Sequence, residues 1–407
     1  MPAKPISETV LTEHSRVKVM RKNALRQLAF FRGSLAQNGR FDVLDRAGRP
    51  ISGQPQELIT TTRLTHSYAL GQIAGAPDCA PMVNAGLHAL LDWHRDPVHG
   101  GYCWSFSAEG PVNGNKLAYG HMFVLLAASS ALAAGHDLAA DLLGDIRSVI
   151  ERYFWDEDMG LMREEFGHDW SHFSSYRGMN SNMHGVEAHL AAFEATGEQL
   201  YLDRAGRILE FFTGVIAPAN DFRLPEHYTE DWQVDGTYSG DPMFRPAGTT
   251  PGHSFEMGRL LIQHWDLSGR PDTDAPARGR RLIETALTDS WLPEGGFAYT
   301  LDFKRQVAVQ NRYWWPVTEA IGAVATLLKV DGSHEDAVWY DRLWSVAEQF
   351  FIDTEHGGWF PEIDAAGRPD ESQFIGKPDI YHALQAELFP RAPNVSRYYE
   401  GVKDLLV

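Results

Sequence analysis

The chain has 407 residues, of which 43% are hydrophobic and 12% aromatic, a composition that supplies a large apolar core and excludes disorder. Its formal net charge of −18 argues against nucleic acid and anionic membranes as partners, because both are bound through clustered lysine and arginine. The opening MPAKPISETVLTEHSRVKVM has no apolar core followed by a small-residue cleavage site, and no later stretch is apolar enough to span a bilayer. We therefore expect a cytoplasmic protein without membrane association.

Taken in chain order, six segments place apolar residues at helical spacing, and five of them carry a histidine near the start. They read RLTHSYALGQIAG, YGHMFVLLAASSALAAG, NMHGVEAHLAAFEATG, PGHSFEMGRLLIQHWDLSG, WPVTEAIGAVATLLKVDG and IYHALQAELFP. The markers His66, His121, His184, His253, Pro316 and His382 are separated by 55, 63, 69, 63 and 66 residues. This spacing predicts an internal repeat. Five segments end at a glycine suited to a left-handed helix end, namely Gly75, Gly135, Gly197, Gly269 and Gly332.

A second helical pattern lies between successive copies, as in LYLDRAGRILEFFTGVI and AVWYDRLWSVAEQFFID, and a glycine-aromatic turn follows. The turns DPVHGGYCWSF, DEDMGLMREEF, PEGGFAYTLDF and DTEHGGWFPEID predict short β-hairpins. Six helical hairpins form either an open solenoid or a closed ring. We favour the ring, an all-α (α/α)6 barrel that residues 1–407 form as a single domain.

In a closed ring the starts of equivalent helices meet at one end, so three of the marker histidines are expected around one pocket. These are His184, His253 and His382, with Glu187, Glu256 and Glu319 about a turn further along the helices. The aromatic residues Tyr119, Trp314 and Trp315 lie beside the same markers, and aromatic faces with polar rims suit sugar rings. The pattern predicts a carbohydrate ligand.

Five separated blocks resemble the N-acylglucosamine 2-epimerase superfamily, which also contains mannose and sulfoquinovose aldose–ketose isomerases. The blocks are TTRLTHSYALG, YRGMNSNMHGVEAHLA, FRPAGTTPGHSFEMGRLL, RYWWPVTEAIGA and GKPDIYHALQAELFP. The resemblance extends from about residue 20 to residue 390 and is strongest to the metal-independent mannose isomerase branch. It implies an (α/α)6 barrel that needs neither metal nor cofactor, and two histidines that exchange protons with a monosaccharide.

The same resemblance implies a role for individual residues. His253 of PGHSFE and His382 of DIYHAL correspond to the acid/base pair of the family. The implied sugar contacts are Arg63, Tyr119, Asn180, His184, Glu256, Trp315 and Glu319.

The implied reaction interconverts D-mannose and D-fructose, or D-lyxose and D-xylulose, through a cis-enediol. A neutral imidazole can carry a proton between C2 and C1 while a second imidazolium protonates the ring oxygen. Returning the proton to C2 from the opposite face instead gives a 2-epimerase of mannose/glucose or N-acylglucosamine type.

Other interpretations remain open at this stage. A glycoside hydrolase on the same barrel would use Glu256 and Glu319 as its two carboxylates. The HxxE pairs His184/Glu187 and His253/Glu256 permit a metal site, since residues three apart share a helix face. Sulfonate binding by Arg63 or Arg245, a non-enzymatic sugar-binding scaffold, and either a monomer or a homodimer are also compatible with the sequence.

Overall fold

The computed structural model describes residues 10–241 and 245–407. The first nine residues, which carry part of the prediction that no leader peptide is present, lie outside this description, as does Phe244 of the family blocks. The α-helices of four or more residues within the described residues are α1 (His14–Phe31), α2 (Leu58–Ile73), α3 (Ala80–His88), α4 (Ala118–Ala133), α5 (Ala139–Val149), α6 (Met179–Thr196), α7 (Gln199–Leu209), α8 (Pro251–Leu267), α9 (Ala275–Ser290), α10 (Trp314–Asp331), α11 (His334–Val346), α12 (Tyr381–Leu388) and α13 (Tyr398–Gly401), and a single α-helical turn spans Ala217–Ala219.

Four of the outer helices continue into wider π-helical turns, at Ala89–His94, Ile150–Phe154, Glu210–Ile216 and Ala347–Phe351. The short strands are β1 (Gln56–Glu57), β2 (Ser105–Ser107), β3 (Gly110–Asn113), β4 (Lys116–Leu117), β5 (Trp155–Asp156), β6 (Leu161–Met162), β7 (Glu165–Phe166), β8 (Arg177–Gly178), β9 (His227–Tyr228), β10 (Thr300–Leu301), β11 (Val307–Val309), β12 (Arg312–Tyr313) and β13 (Glu362–Ile363).

The even-numbered helices α2 to α12 form an inner ring, and the odd-numbered helices α1 to α11 surround it. Sequence explains the division. In α4 every residue from Gly120 to Ala131 is buried, as expected for a helix that is apolar all round. Helix α7 instead buries one stripe, at Tyr201, Leu202, Ala205, Ile208 and Leu209, and exposes its charged face.

The ring is closed. Each inner helix packs against the next, and α12 packs against both α1 and α2, so the last unit meets the first. The predicted (α/α)6 barrel is confirmed and the open solenoid is excluded. The assignment of the whole chain to a single domain stays a prediction.

A second ring, made of β-pairs, joins the units at one end of the barrel. The strand that leads into an inner helix pairs antiparallel with the turn that follows the next outer helix, as in β1 with β2, β4 with β7, β8 with β9 and β12 with β13. Single bridges complete the circle, from Thr249 to Leu301 and from Lys377 back to Leu44. These pairs place the N-terminal ends of all six inner helices on one rim.

The predicted turn hairpins are also present. Antiparallel pairs close the four repeated turns, at Arg95 with Tyr102, β5 with β6, Trp291 with Phe297, and Ile352 with Trp359. Four of the five predicted helix-end glycines have positive φ, and Gly332 does not, with φ of −47°. That part of the prediction is wrong because Ser333 directly caps α11, so the chain leaves α10 in an extended conformation.

Two of these turns hold a buried lysine in the same way. Asp96 accepts backbone N–H groups of its turn through Oδ1 and the ammonium of Lys116 through Oδ2, at 2.9 Å. Asp353 repeats the arrangement with Lys377 at 2.6 Å, and both lysine side chains are fully buried. Lys116 lies two residues before the start of α4, and Lys377 lies four residues before the start of α12. We call these two pairs the lysine clasps.

Cys79 and Cys103 are buried and free, and the described part of the chain contains no helix with the length and apolarity needed to cross a membrane. The cytoplasmic location stays a prediction.

Asp353→Asn should lower the free energy of unfolding by about 3 kcal/mol, since a buried lysine then loses its counter-charge. Asparagine keeps the oxygen that the turn needs, so the change isolates the charge. Chemical denaturation measures the loss. Glu198→Gln is the control, because its partner Arg147 is exposed and the pair is expected to contribute less than about 1 kcal/mol. Equal effects of the two substitutions would contradict a structural role for the clasp.

Candidate active site

A cavity of about 400 Å³ opens at the rim where the inner helices begin. Its walls come from all six inner helices and from the turns between them. Of the nine residues predicted from the sequence, eight line it: Arg63, Tyr119, Asn180, His184, His253, Glu256, Trp315 and His382. Glu319 is absent from the lining.

Helix geometry explains why these residues meet. The second residue of an inner helix faces the cavity in α4, α6, α10 and α12, where it is Tyr119, Asn180, Trp315 and His382. Residues four apart share a face, so the sixth residue lies one turn deeper. In α2, α6, α8 and α10 the sixth residue is Arg63, His184, Glu256 and Glu319.

Helix α8 departs from this pattern at its start. Its second residue is Gly252, and a Cβ there would lie 2.4 Å from the Trp315 ring, so glycine is needed for the ring to pack in that place. His253, the third residue, then faces the cavity beside Trp315. The ring centroids of His253 and Trp315 are 5.0 Å apart, and those of Trp315 and His382 are 5.9 Å apart. The two histidines therefore flank one tryptophan.

His253 is anchored by a carboxylate that the sequence reasoning missed. Its Nδ1 lies 3.0 Å from both oxygens of Glu226, which also accepts the N–H of Thr250 at 3.2 Å. Glu256, which is one helix turn from His253 on α8, lies deeper and has His184 and Arg259 as its basic neighbours. Among the described residues, no arginine or lysine forms an ion pair with Glu226.

His382 is anchored in a similar way but with an added cation. Its Nδ1 lies 2.8 Å from Glu319 Oε1, and Glu319 Oε2 accepts a hydrogen bond from Arg259 at 2.9 Å. Glu319 thus lies behind the imidazole, with both oxygens engaged. Glu319 does not line the cavity, and its two oxygens are held by His382 and Arg259, so a sugar contact at Glu319 stays a prediction.

The deepest part of the cavity holds His184 and Glu256. Both oxygens of Glu256 are fully buried and have no hydrogen-bond partner in the described structure. Burial, with added repulsion from Glu319 and Glu187, raises the pKa of Glu256 well above its ordinary value. Burial lowers the pKa of His184 to about 4. A protonated Glu256 beside a neutral His184 can donate a hydrogen bond to a hydroxyl group.

Donor atoms of His184, Glu187 and Glu256 lie within 4.8 Å of one another, a spacing that a metal ion could bridge. However, both oxygens of Glu187 already accept hydrogen bonds, from the Tyr381 hydroxyl and from the Gln385 amide. The second HxxE pair considered for a metal site is His253/Glu256. Its two side chains have different partners, since His253 bonds to Glu226 and Glu256 lies beside His184. The donor set suits hydrogen bonding better than metal binding.

The two arginines on the cavity wall are neutralised by carboxylates. Arg63 donates to Asp379 at 2.6 Å and to the Tyr119 hydroxyl at 2.9 Å. Arg245 forms a two-pronged pair with Glu165, at 2.6 and 3.3 Å. Neither guanidinium presents an unbalanced positive charge to a ligand.

The wall residues that the sequence reasoning missed come mainly from turns. Glu164 and Glu226 occupy equivalent places, since their carbonyls accept the first N–H of α4 and α6 respectively. Burial raises the pKa of Glu164 to about 7. The available signal is the acidic residue in DEDMGLMREEF, a turn predicted from the sequence as a β-hairpin, and in LPEHY, which is not among the predicted turns. Asp379, three residues before His382, was also missed.

Comparison with known proteins agrees with this geometry. The family model of N-acylglucosamine 2-epimerase (GlcNAc 2-epimerase) matches residues 39–386. The chain is 40% identical over 378 residues to a D-mannose isomerase of Pseudomonas cannabina pv. alisalensis, which covers 90% of this chain and 91% of that protein. It is 41% identical over 366 residues to a D-mannose isomerase of Thermobifida fusca, covering 88% and 90%.

A crystal structure of D-mannose isomerase superposes with a TM-score of 0.86 at 27% identity, covering 92% of this chain and 97% of the other. The fold, the cavity and the sequence matches over most of the chain lead to one conclusion: the protein is an isomerase-class enzyme that belongs to the N-acylglucosamine 2-epimerase family.

Proposed function

We propose that this protein is a D-mannose isomerase that interconverts D-mannose and D-fructose, without metal or cofactor. The observation that carries the proposal is the pair of histidines on one cavity wall, each held through Nδ1 by a carboxylate, so that Nε2 is left for a ligand. The two relatives at 40% and 41% identity, both named D-mannose isomerase, support the same activity.

The two histidines are assigned different roles. We assign His253, whose Nδ1 contacts Glu226, as the acid that protonates the ring oxygen and then takes up the proton of the anomeric hydroxyl as the pyranose opens. The carboxylate behind His382 differs from Glu226 in its partners, since Glu319 also accepts a hydrogen bond from Arg259. We assign His382 as the base at C2.

The chemical step balances within the site. His382 takes the C2 proton, and the electron pair of that C–H bond forms the C1=C2 bond of the enediol. The carbonyl electrons pass to O1, which gains a proton as O2 loses one. The enediol electron pair then takes the proton back from His382 at C1 and leaves the carbonyl at C2. Arg63 and the protonated Glu256 are assigned to stabilise the developing oxygen charge.

A neutral sugar is the substrate class that the cavity favours. The positive charges of Arg63 and Arg245 are matched by Asp379 and Glu165, which disfavours a sulfonated sugar. Tyr119, Asn180, His184 and Trp315 are proposed to contact the hydroxyls and the C–H face of the sugar. D-Lyxose, which has the same configuration at C2 and C3, is proposed as a second substrate.

A 2-epimerase is the alternative activity, because the family to which the chain belongs is named for a 2-epimerase. It needs a second proton donor on the other face of C2, and His253 supplies a second imidazole on the wall of the same cavity. A glycoside hydrolase is disfavoured, because Glu319 is bonded to His382 and Arg259 and cannot face a scissile bond together with Glu256.

Purified protein incubated with D-mannose should form D-fructose, and EDTA should leave the rate unchanged. In heavy water the recovered sugars should gain carbon-bound deuterium, because an enediol exchanges protons with its base. Chromatography of the products with mass detection measures both. Glucose in place of fructose would identify an epimerase, and loss of activity on chelation would reject the metal-free mechanism.

His253→Ala and His382→Ala should each lower kcat by about 10² or more, as expected for a lost general acid or base. Steady-state kinetics on D-mannose measure the effect. The matched control is His88→Ala, since His88 is exposed on the outer helix α3 and should leave kcat unchanged. A near-normal kcat in either cavity variant, with the fold intact by circular dichroism, would remove that histidine from the mechanism.

A further inference from the structure

A second, smaller cavity lies on the barrel axis below the sugar cavity. It has a volume of about 30 Å³, and its lining mixes leucines, an alanine and a phenylalanine with polar side chains that include His66, Glu187, Glu194, Arg259, Tyr398 and Tyr399. A water molecule needs about 10–15 Å³ and two to four polar partners, so this space accommodates about two waters. Dry cavities in proteins are apolar, whereas about half of the residues around this one are polar.

The axial cavity begins at the floor of the sugar cavity. Glu187 connects the two spaces, since it lines the axial cavity and its Oε2 lies 3.4 Å from Nδ1 of His184, which lines the sugar cavity. Glu194 lies seven residues further along α6, which is roughly 10 Å along the barrel axis. The axial cavity therefore runs away from the mouth of the sugar cavity.

Glu194 marks the far end. It accepts hydrogen bonds from the backbone N–H groups of Arg397, at 2.8 Å, and Tyr399, at 3.5 Å, and it is only partly buried. Loss of hydration raises its pKa to about 7, so this carboxyl exchanges protons readily near neutral pH. Glu194 is therefore suited to exchange protons with solvent at the protein surface.

Hydroxyl groups extend the polar wall between the two carboxyls. His66 Nδ1 lies 2.7 Å from Ser130 Oγ, which lies 3.0 Å from the Tyr399 hydroxyl. On its other side His66 Nε2 is 3.2 Å from the Gln385 amide, which donates to Glu187. Waters in the cavity thus have partners along its whole length.

We propose that the axial cavity holds a short chain of waters that passes protons between Glu187 and Glu194. This proposal rests on the proposed isomerase function, because a sugar in the upper cavity separates the floor from solvent at the mouth. A proton given to the first water is matched by one that the last water gives to Glu194, so charge balances without a co-reactant. The chain lets the floor of the site exchange protons with solvent while substrate is bound.

Deuterium washout tests the proposal. Wild-type protein that converts D-[2-²H]mannose in ordinary water should lose part of the deuterium label. Ala191→Leu fills the axial cavity without changing a titratable group. This variant should retain about twofold more label at C1 of fructose than wild type. Ala195→Leu on the same helix is outside the cavity lining and should match wild type. Equal retention in all three proteins, or complete retention in wild type, would overturn the proposal.

A crystal structure at a resolution that shows ordered water gives a test independent of activity. Waters between Glu187 and Glu194 in wild type, displaced in Ala191→Leu, are the expected result, and a dry cavity in wild type would overturn the proposal. If the protein does not isomerise D-mannose, the proposed function fails, while the water structure still decides whether the axial chain exists.

Discussion

The geometry of the site depends on the ring of antiparallel β-pairs at one end of the barrel. Each inner helix is preceded by a short strand that is fixed to the turn of the following unit. Since a backbone hydrogen-bond ladder allows only discrete registers, these pairs set the height at which every inner helix begins. The second and sixth residues of neighbouring helices then lie at matching depths, and residues that are far apart in sequence share one cavity.

The same ring explains the use of buried charge. The turns that carry a strand must be held against the start of an inner helix. At two of these turns a lysine clasp makes that connection. Lys377 is two residues from Asp379, which neutralises Arg63, and five from His382. A structural ion pair and the proposed catalytic residue thus share one short segment, so loss of the clasp would also move the site.

Much of this architecture could be predicted from the sequence because a repeat of about sixty residues reveals both the helices and their starts. Periodicity identifies which residues share a face, and for that reason His184, Glu256 and Trp315 were expected in the cavity where the structure has them. Their roles on a sugar remain proposals. Periodicity does not reveal depth relative to neighbouring side chains, and Glu319 was consequently expected at the cavity surface.

The other cavity residues that the sequence does not predict share one physical explanation. Glu226 and Glu164 lie on turns that pair with Met179 and Ala118, which are 47 and 46 residues earlier in the chain, and no local pattern reports such pairing. The partner of His253 could not be found by looking one helix turn away. The partner of His253 is Glu226, which directly precedes β9 of the β-ring in the chain. The register of β8 with β9 brings the Glu226 carboxylate within hydrogen-bond distance of the Thr250 N–H.

Closure between Lys377 and Leu44 has a consequence for biosynthesis. The bridging residue Lys377 and the helix with His382 belong to the sixth unit of the barrel, so a nascent chain has no complete rim until that unit has left the ribosome. Until then the first and fifth units expose unpaired edges and apolar helix faces, the features that recruit chaperones to large proteins during synthesis. Activity is therefore acquired in a single late event, not in proportion to the length already made.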